Sequence, residues 1–457
     1  MAGCTISDLC SVAQRPHNRD LKRYHASEDG EITITDPDVR MVYVLLDGVG
    51  DLPHPDLQGM TPLEAAATPN MDKLAKGGIM GRVISVGERI APESDIAVFN
   101  MLGYKFQHAD YAGRGVIEAV GIGVDFVDGD LALRGNFATM NDSVITDRRA
   151  GRNIERLDAR EIASEIEEKV TFSEDGTSVV VAPTIGHRLT VRIRSKKHLS
   201  SNITNTDPAY ARLDGMGIAK AVGGFLKIDR CLPLTNDPAA TLASKLVNEF
   251  TEQSIRVMAD SEVNKRRARR DQSLLNCILL RDAGSSYPVV EPINQKYALK
   301  FSCIVDMPVE QGISRILDMK AFEAGGLTDY EQKAHVAATA MQDQNAIYVH
   351  LKGPDEFGHD GDAGGKKANI EEIDRRFFGT LLDEIDTTKT TVMISADHST
   401  PCIIKGHSAD PVPVLVSGAH IKGDRTERFT ERDAAVGDMG LMMGADVVQN
   451  ALDLIRS

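Results

Sequence analysis

The sequence predicts an α/β protein: a mostly parallel sheet sandwiched by helices, with a smaller α/β or α+β domain inserted into it. Three observations predict this. Short, continuously apolar runs ending in Gly or Asp occur near both ends of the chain, segments of helical periodicity lie between them, and the middle switches to alternating polar and apolar residues.

Residues 1 to about 40 form an N-terminal extension, rich in charged and polar residues (HNRDLKRYHASEDGE) and without sustained apolar periodicity. Order begins at Val42. The run MVYVLLDGVG (41–50) reads as a strand buried on both faces that stops at Asp47-Gly48, and the pattern returns in AIYVHLKGPD (346–355), TTVMISADHS (390–399) and VPVLVSGAH (412–420). A stretch such as NIEEIDRRFFGTLLDEID (369–386) repeats its apolar residues at helical spacing. Between about 110 and 297 the segments TSVVVAP (177–183) and HRLTVRIRS (187–195) alternate as half-buried strands do, and DAREIASEIEEKV (158–170) is a charged helix. The expected organisation is therefore 41–109 and 298–457 as two parts of one sheet domain, with 110–297 inserted.

Composition narrows the function. The chain has 457 residues, 42% of them apolar, and a formal charge of −15. A transmembrane helix needs about 20 consecutive apolar residues, and the sequence offers no such run. Its acidity opposes a nucleic-acid or anionic-membrane partner, which requires positive potential on the contacting face. The one basic cluster, NKRRARRDQ (264–272), lacks interleaved aromatics and reads as a solvated face. The six cysteines show neither CxxC nor metal-finger spacing, which fits a reducing compartment. With no apolar signal core at the N-terminus, a cytoplasmic location is expected.

Chemistry concentrates after the strands. Asp47 closes the first, Asp355 and His359 form a DxxxH after the second, Asp397 and His398 are adjacent after the third, and His407 follows. Ligands of open α/β sheets bind beyond the carboxyl ends of parallel strands, where these residues converge. Three carboxylates and three imidazoles without thiolates suit divalent ions such as Mn²⁺ or Zn²⁺. Singly, each has an ordinary structural reading as a surface histidine or a helix-capping Asp. In APESDIAVFNMLGY (91–104), Ser94 is the candidate nucleophile; as an alternative or additional role it caps the following helix. A serine at a helix N-terminus stands beside free backbone N–H groups suited to phosphate.

The motifs LLDGVGDLP, GMTPLEAAATPNMDKLAKGG, PESD, YAGRGVIEAVGIGV, RGNFAT, DRRAGR, PDEFGHDGD, SADHS and KGHSADPVP, in this order over about 41–457, resemble those of the archaeal-type, cofactor-independent phosphoglycerate mutases of the alkaline phosphatase superfamily. The resemblance implies an alkaline-phosphatase-like sheet domain and two divalent metal ions, with Mn²⁺ favoured over Mg²⁺, Zn²⁺ or Co²⁺. One ion falls to Asp355, His359 and His407, the other to Asp47, Ser94, Asp397 and His398. It also makes the insertion a substrate-binding phosphotransferase domain, for which the candidates are Arg114, Arg134, Arg148, Arg149, Arg152, His187, Arg188 and Arg281. Guanidinium groups bind phosphate and carboxylate bidentately and stay charged.

Two positions depart from the family pattern. Glu93 replaces the glycine of a Pro-Gly-Ser-Asp loop and adds negative charge beside an anion site, and Gln311 replaces a lysine, for which Lys320, Lys333 or Lys352 are possible substitutes. The implied activity is interconversion of 3-phosphoglycerate and 2-phosphoglycerate, in glycolysis and gluconeogenesis, through a phosphoserine. A small-molecule substrate, no nucleic-acid or membrane partner, and a compatible oligomer complete the expectation. The alternatives are a metal-dependent phosphatase or other phosphomutase of the same superfamily, or a catalytically impaired homologue retained as a structural or regulatory subunit.

Overall fold

The computed structural model describes residues 38–105, 112–213, 216–219 and 226–457. The expected N-terminal extension, apart from 38–40, lies outside the described residues. In chain order the strands are β1 (Met41–Leu46), β2 (Gly78–Ile84), β3 (Leu131–Asn141), β4 (Val144–Asp147), β5 (Ser178–Pro183), β6 (Arg188–Arg194), β7 (Tyr210–Leu213), β8 (Met216–Ala219) and β9 (Cys277–Gly284). They continue with β10 (Phe301–Ile304), β11 (Lys320–Ala321), β12 (Ala346–Leu351), β13 (Thr391–Ala396), β14 (Val412–Ser417) and β15 (Gly440–Met443).

An eight-stranded sheet has the order β11-β10-β12-β1-β13-β14-β2-β15. Every residue of β1, β12, β13 and β14 is buried, as continuous apolar runs require when helices cover both faces. The predicted mostly parallel sheet is present with one reversal. β14 pairs antiparallel with both β13 and β2, so it alone runs against the rest. Flanking helices include Pro69–Gly77, Ser94–Met101, Pro308–Ile316, Tyr330–Ala340 and Ala363–Ile373, the last continuing through a π turn at Asp374–Phe378. Thr68 makes no side-chain cap on the first of these. The buried Asp374 does so instead, accepting from the N–H groups of Asn70 (3.2 Å) and Met71 (2.8 Å).

A second sheet is wholly antiparallel. β3 pairs with β6 and β9 along most of its length and with β4 at its end, and β5 extends the sheet beyond β6. Its own apolar core includes Leu133, Phe137, Ile162, Val191 and Phe250, from the strands and from helices Arg156–Lys169 and Pro238–Asp260. Of the two expected architectures this corresponds to α+β. The basic cluster lies on helix Glu262–Arg269 and is not simply solvated: Arg267 is fully buried, its guanidinium 3.3 Å from Asp158 and 3.0 Å from Asn153 Oδ1. The four described cysteines, Cys231, Cys277, Cys303 and Cys402, are buried. No described helix is long and apolar enough to cross a membrane.

Candidate active site and metal centre

Register places the central acids. Leu46 of β1 is level with Leu351 of β12 and Ala396 of β13, so Asp47, Lys352 and Asp397 all follow strand ends that stop together. Gly48 then turns with φ +58, and a Cβ there would stand 2.7 Å from Asp355 Oδ1, so only glycine lets these loops approach so closely. Lys366, fully buried, ties the loops down: its ammonium bonds Asp51 Oδ2 (2.8 Å), Gly50 O (3.2 Å) and Thr400 O (2.9 Å). Asp51 in turn accepts from the N–H of Cys402 at 3.1 Å.

Two groups of ligand-capable atoms result, Asp47 with Asp397 and His398, and Asp355 with His398 and His407. His359 belongs beside the second, its Nε2 3.5 Å from Asp355 Oδ2, on the helix Pro354–Asp360 that sets it four residues after Asp355. The imidazoles of His398 and His407 stack with centroids 3.8 Å apart. Ser94 Oγ is 3.2 Å from His398 Nε2. Ser94 is the first residue of helix Ser94–Met101, not its cap; Glu93 holds that position and makes no side-chain capping bond.

These groups fit divalent cations in several ways. Asp397 Oδ1 accepts from the N–H groups of Gly48 and His398, both at 3.0 Å, while Asp397 Oδ2 and Asp47 Oδ1 are buried with no hydrogen-bond partner among the described residues. Burial, and then the charge of Asp47, push the Asp397 carboxyl well above the usual carboxylate range; a cation relieves such repulsion. Each histidine is also oriented from behind. His407 Nδ1 is 2.7 Å from Pro92 O, His359 Nδ1 is 3.4 Å from Lys405 O, and His398 Nδ1 is 3.0 Å from Thr400 Oγ1, which itself donates to Asp355 Oδ1 at 2.7 Å. A proton on each Nδ1 directs Nε2 toward the carboxylates, the orientation seen in metal-ligating histidines. Burial, then His407, drive His398 well below its ordinary value and keep it neutral. For His407, burial is outweighed by its hydrogen bond to Asp355 and by the charges of Asp355 and Glu93, which raise it to about 9. The chain thus carries candidate ligand groups for divalent metal.

Sequence reasoning underrated the floor of this centre. Lys352 Nζ lies 3.0 Å from Asp47 Oδ2 and also contacts Glu310, and His350 Nδ1 is 3.3 Å from Glu310 Oε1. Of the three lysines considered in place of Gln311, only Lys352 reaches the site. Lys333 is buried against Asp306 at 3.3 Å, and Lys320 lies over the Phe322 ring. Lys352 immediately follows an aligned strand end, a signal the sequence did carry. Gln311 instead donates to Asp306 O at 3.3 Å.

The antiparallel sheet gathers part of the arginine set. Arg134 on β3 is level with Arg281 on β9, and the next β3 residue on the same face, Asn136, is level with Arg188 on β6. Arg114 and Arg134 share Glu118 at 2.9 and 3.0 Å, and Arg148 and Arg281 share the buried Asp207 at 2.7 and 3.2 Å, with Tyr210 beneath both guanidinium groups. Among the described residues Arg188 forms no ion pair with a carboxylate, and Glu118 acts on it more weakly than Arg134 and Arg114 do. Burial and then Arg134 and Arg114 push it down to about 10, and the same surroundings push His187 down to about 4. Arg149 and Arg152 are exposed on the turn after β4, and Arg152 contributes to the field on His187. Glu118, Asp207 and Tyr210 were not anticipated: Glu118 stands four residues after Arg114 on one helix, a spacing the sequence did show, whereas its contact with Arg134 and the Asp207 and Tyr210 contacts cross between elements.

The comparisons agree with this picture. The sequence model of the family described as 2,3-bisphosphoglycerate-independent phosphoglycerate mutase matches residues 75–264. A protein of that name from Aeropyrum pernix is 37% identical over 432 residues, covering 91% of this chain and 100% of the relative. Another from Methanopyrus kandleri is 36% identical, with 92% and 97% covered. Among solved structures, the cofactor-independent phosphoglycerate mutase of Thermoplasma acidophilum aligns with TM-score 0.61 and 29% identity over 91% of this chain and 99% of its own. A Pyrococcus horikoshii protein aligns with TM-score 0.74, 28% identity, and 92% and 97% coverage. Similarity at this level over nearly the full length of the relatives means that the chain belongs to the 2,3-bisphosphoglycerate-independent phosphoglycerate mutase family.

Proposed function

We propose that this protein interconverts 3-phosphoglycerate and 2-phosphoglycerate by way of a phosphoserine at Ser94. Beyond membership of the family, the observation that carries the reading is the 3.2 Å approach of Ser94 Oγ to His398 Nε2 at a helix N-terminus. A nucleophile thereby adjoins both the candidate ligands and backbone N–H groups able to hold a phosphoryl oxygen.

Asp355, His359 and His407 would hold one divalent ion, and Asp47, Ser94, Asp397 and His398 the other, with Mn²⁺ the favoured metal. Bound there, the ions would lower the pKa of the serine hydroxyl and would neutralise charge on the transferring group. Arg188, Arg134, Arg114 and Arg281 bind the substrate's phosphate and carboxylate. The glycerate must be retained between the two transfers, which requires water to be excluded. We assign that enclosure to a domain of residues 110–297 closing on one built from 41–109 and 298–457. The separate apolar cores of the two sheets support such a division, and the helix Arg114–Gly121, packed on Pro308–Ile316, supplies the joint. Cytoplasmic residence belongs to the same reading.

The test is an enolase-coupled assay with 3-phosphoglycerate, run with Mn²⁺, with chelator, and with Ser94→Ala. Turnover with Mn²⁺ that both controls abolish is the expected result. No turnover with any of Mn²⁺, Mg²⁺, Zn²⁺ or Co²⁺ would contradict it.

A further inference from the structure

Glu93 stands between the two halves of the site. Its backbone adjoins Ser94, and its Oε2 reaches Arg114 at 3.2 Å, while Arg114 also bonds Glu118 at 2.9 Å. The negative charge of Glu93 acts on His407 on one side and on Asp282 and Arg114 on the other. A carboxylate therefore lies between the candidate metal ligands and the arginines, the region a transferring phosphoryl group must occupy.

The two partners differ in freedom. Arg114 begins a helix seated with no slack: a Cβ on Gly121 would stand 1.9 Å from Pro308 O, and one on Gly115 would stand 2.5 Å from Ala132 O. Its side chain is 12% exposed and keeps Glu118 whatever Glu93 does. Glu93 is 35% exposed, and Arg114 is its one ion-pair partner among the described residues. The movable member is the glutamate.

We propose that Glu93 is a substrate-displaced counterion that sets the affinity threshold for anions at the site: it holds Arg114 until a phosphoryl group replaces it, and then turns outward. A phosphate dianion binds a guanidinium through two charged oxygens and outcompetes a single carboxylate contact. Every anion that takes Arg114 must break the Glu93 pair. Phosphoglycerate offsets that cost with its carboxylate on the remaining arginines, whereas free phosphate has no second group to do so. Glu93 thus lowers the affinity of every anion by a common factor, against which only a ligand with a second anchoring group occupies the site, and this rests on the mutase reading above.

The test is a double-mutant cycle on the metal-loaded protein, with inorganic phosphate as the calorimetric probe and the KM for 3-phosphoglycerate measured in parallel. Glu93→Gln and Glu93→Gly should each bind phosphate about 3- to 10-fold more tightly, the range expected for one partly exposed ion pair. KM should fall in the same direction. In an Arg114→Gln background the Glu93→Gln change should have less than a twofold effect. A purely structural Glu93 predicts weaker binding on replacement. Unchanged or weaker phosphate binding in the isosteric Glu93→Gln variant overturns the proposal, as does equal tightening without Arg114. Wild-type turnover reports separately on the mutase assignment: if it is absent that assignment fails, while the phosphate cycle still decides whether Glu93 is the counterion.

Discussion

The hydroxyl of Thr400 lies 3.0 Å from His398 Nδ1, and because it donates its own proton to Asp355 Oδ1 at 2.7 Å, it can only accept from the imidazole. One threonine thereby sets the His398 tautomer and holds a carboxylate of the neighbouring ligand group. Thr400→Val, which keeps shape and removes both bonds, should weaken divalent-metal binding roughly 10- to 100-fold. Thr400→Ser should restore most of it, as read by metal titration. Full affinity in the valine variant would show that Thr400 does not orient the ligands.

Lys366 holds the Gly50-Asp51 and Thr400 loops together from a fully buried position. Removing one partner of a buried ion pair leaves the other uncompensated, at about 3–5 kcal/mol. Lys366→Met should therefore lower the unfolding free energy by roughly that amount and weaken metal binding as well. A denaturant melt indistinguishable from wild type would contradict this.

Arg188 forms no ion pair with a carboxylate among the described residues, and Arg149 is exposed. Losing a charged hydrogen bond to substrate costs about 1.5–3 kcal/mol, so Arg188→Gln should raise the KM for 3-phosphoglycerate by about 10- to 100-fold. Arg149→Gln should change it less than twofold. Equal effects from the two would remove Arg188 from the substrate site.

His187 reports on the same group. Burial, and then Arg188, Arg281, Arg152 and Arg134, hold its imidazole at about 4, below the ordinary 6.5. With the folded value the lower one, the unfolded chain takes the proton first as pH falls. The group's contribution to stability is complete above 6.5 and is lost as pH drops from 6.5 toward 4. A dianion among these arginines offsets their field, so phosphoglycerate should move the His187 titration upward in histidine-resolved NMR. No movement, or a downward one, would contradict binding there.

Legibility in the sequence followed the range of the interaction. Asp47 and Asp397 were readable because each ends an apolar run, and strand ends in a parallel sheet converge. The direction of β14 was not, since VPVLVS is buried on both faces and its side chains carry no sign of the strand's sense. The arginines stood out by type, and Glu118 lies at i+4 from Arg114 on one helix, yet the pairs of Glu118 with Arg134 and of Asp207 with Arg148 and Arg281 form between elements. Local pattern carries the first of these pairs and none of the others. Glu93 was recognised as a charge out of place, but only the 3.2 Å contact identified Arg114 as its partner.

The central claim is that the phosphoryl group leaves the substrate for Ser94 and returns to the same glycerate. Phosphorus NMR of a quenched reaction with 3-phosphoglycerate and the Mn²⁺-loaded protein tests it most directly. The account predicts a growing 2-phosphoglycerate resonance that reaches a fixed ratio with 3-phosphoglycerate, without inorganic phosphate, and abolished by Ser94→Ala. Stoichiometric release of inorganic phosphate without 2-phosphoglycerate would contradict it and make the protein a phosphatase.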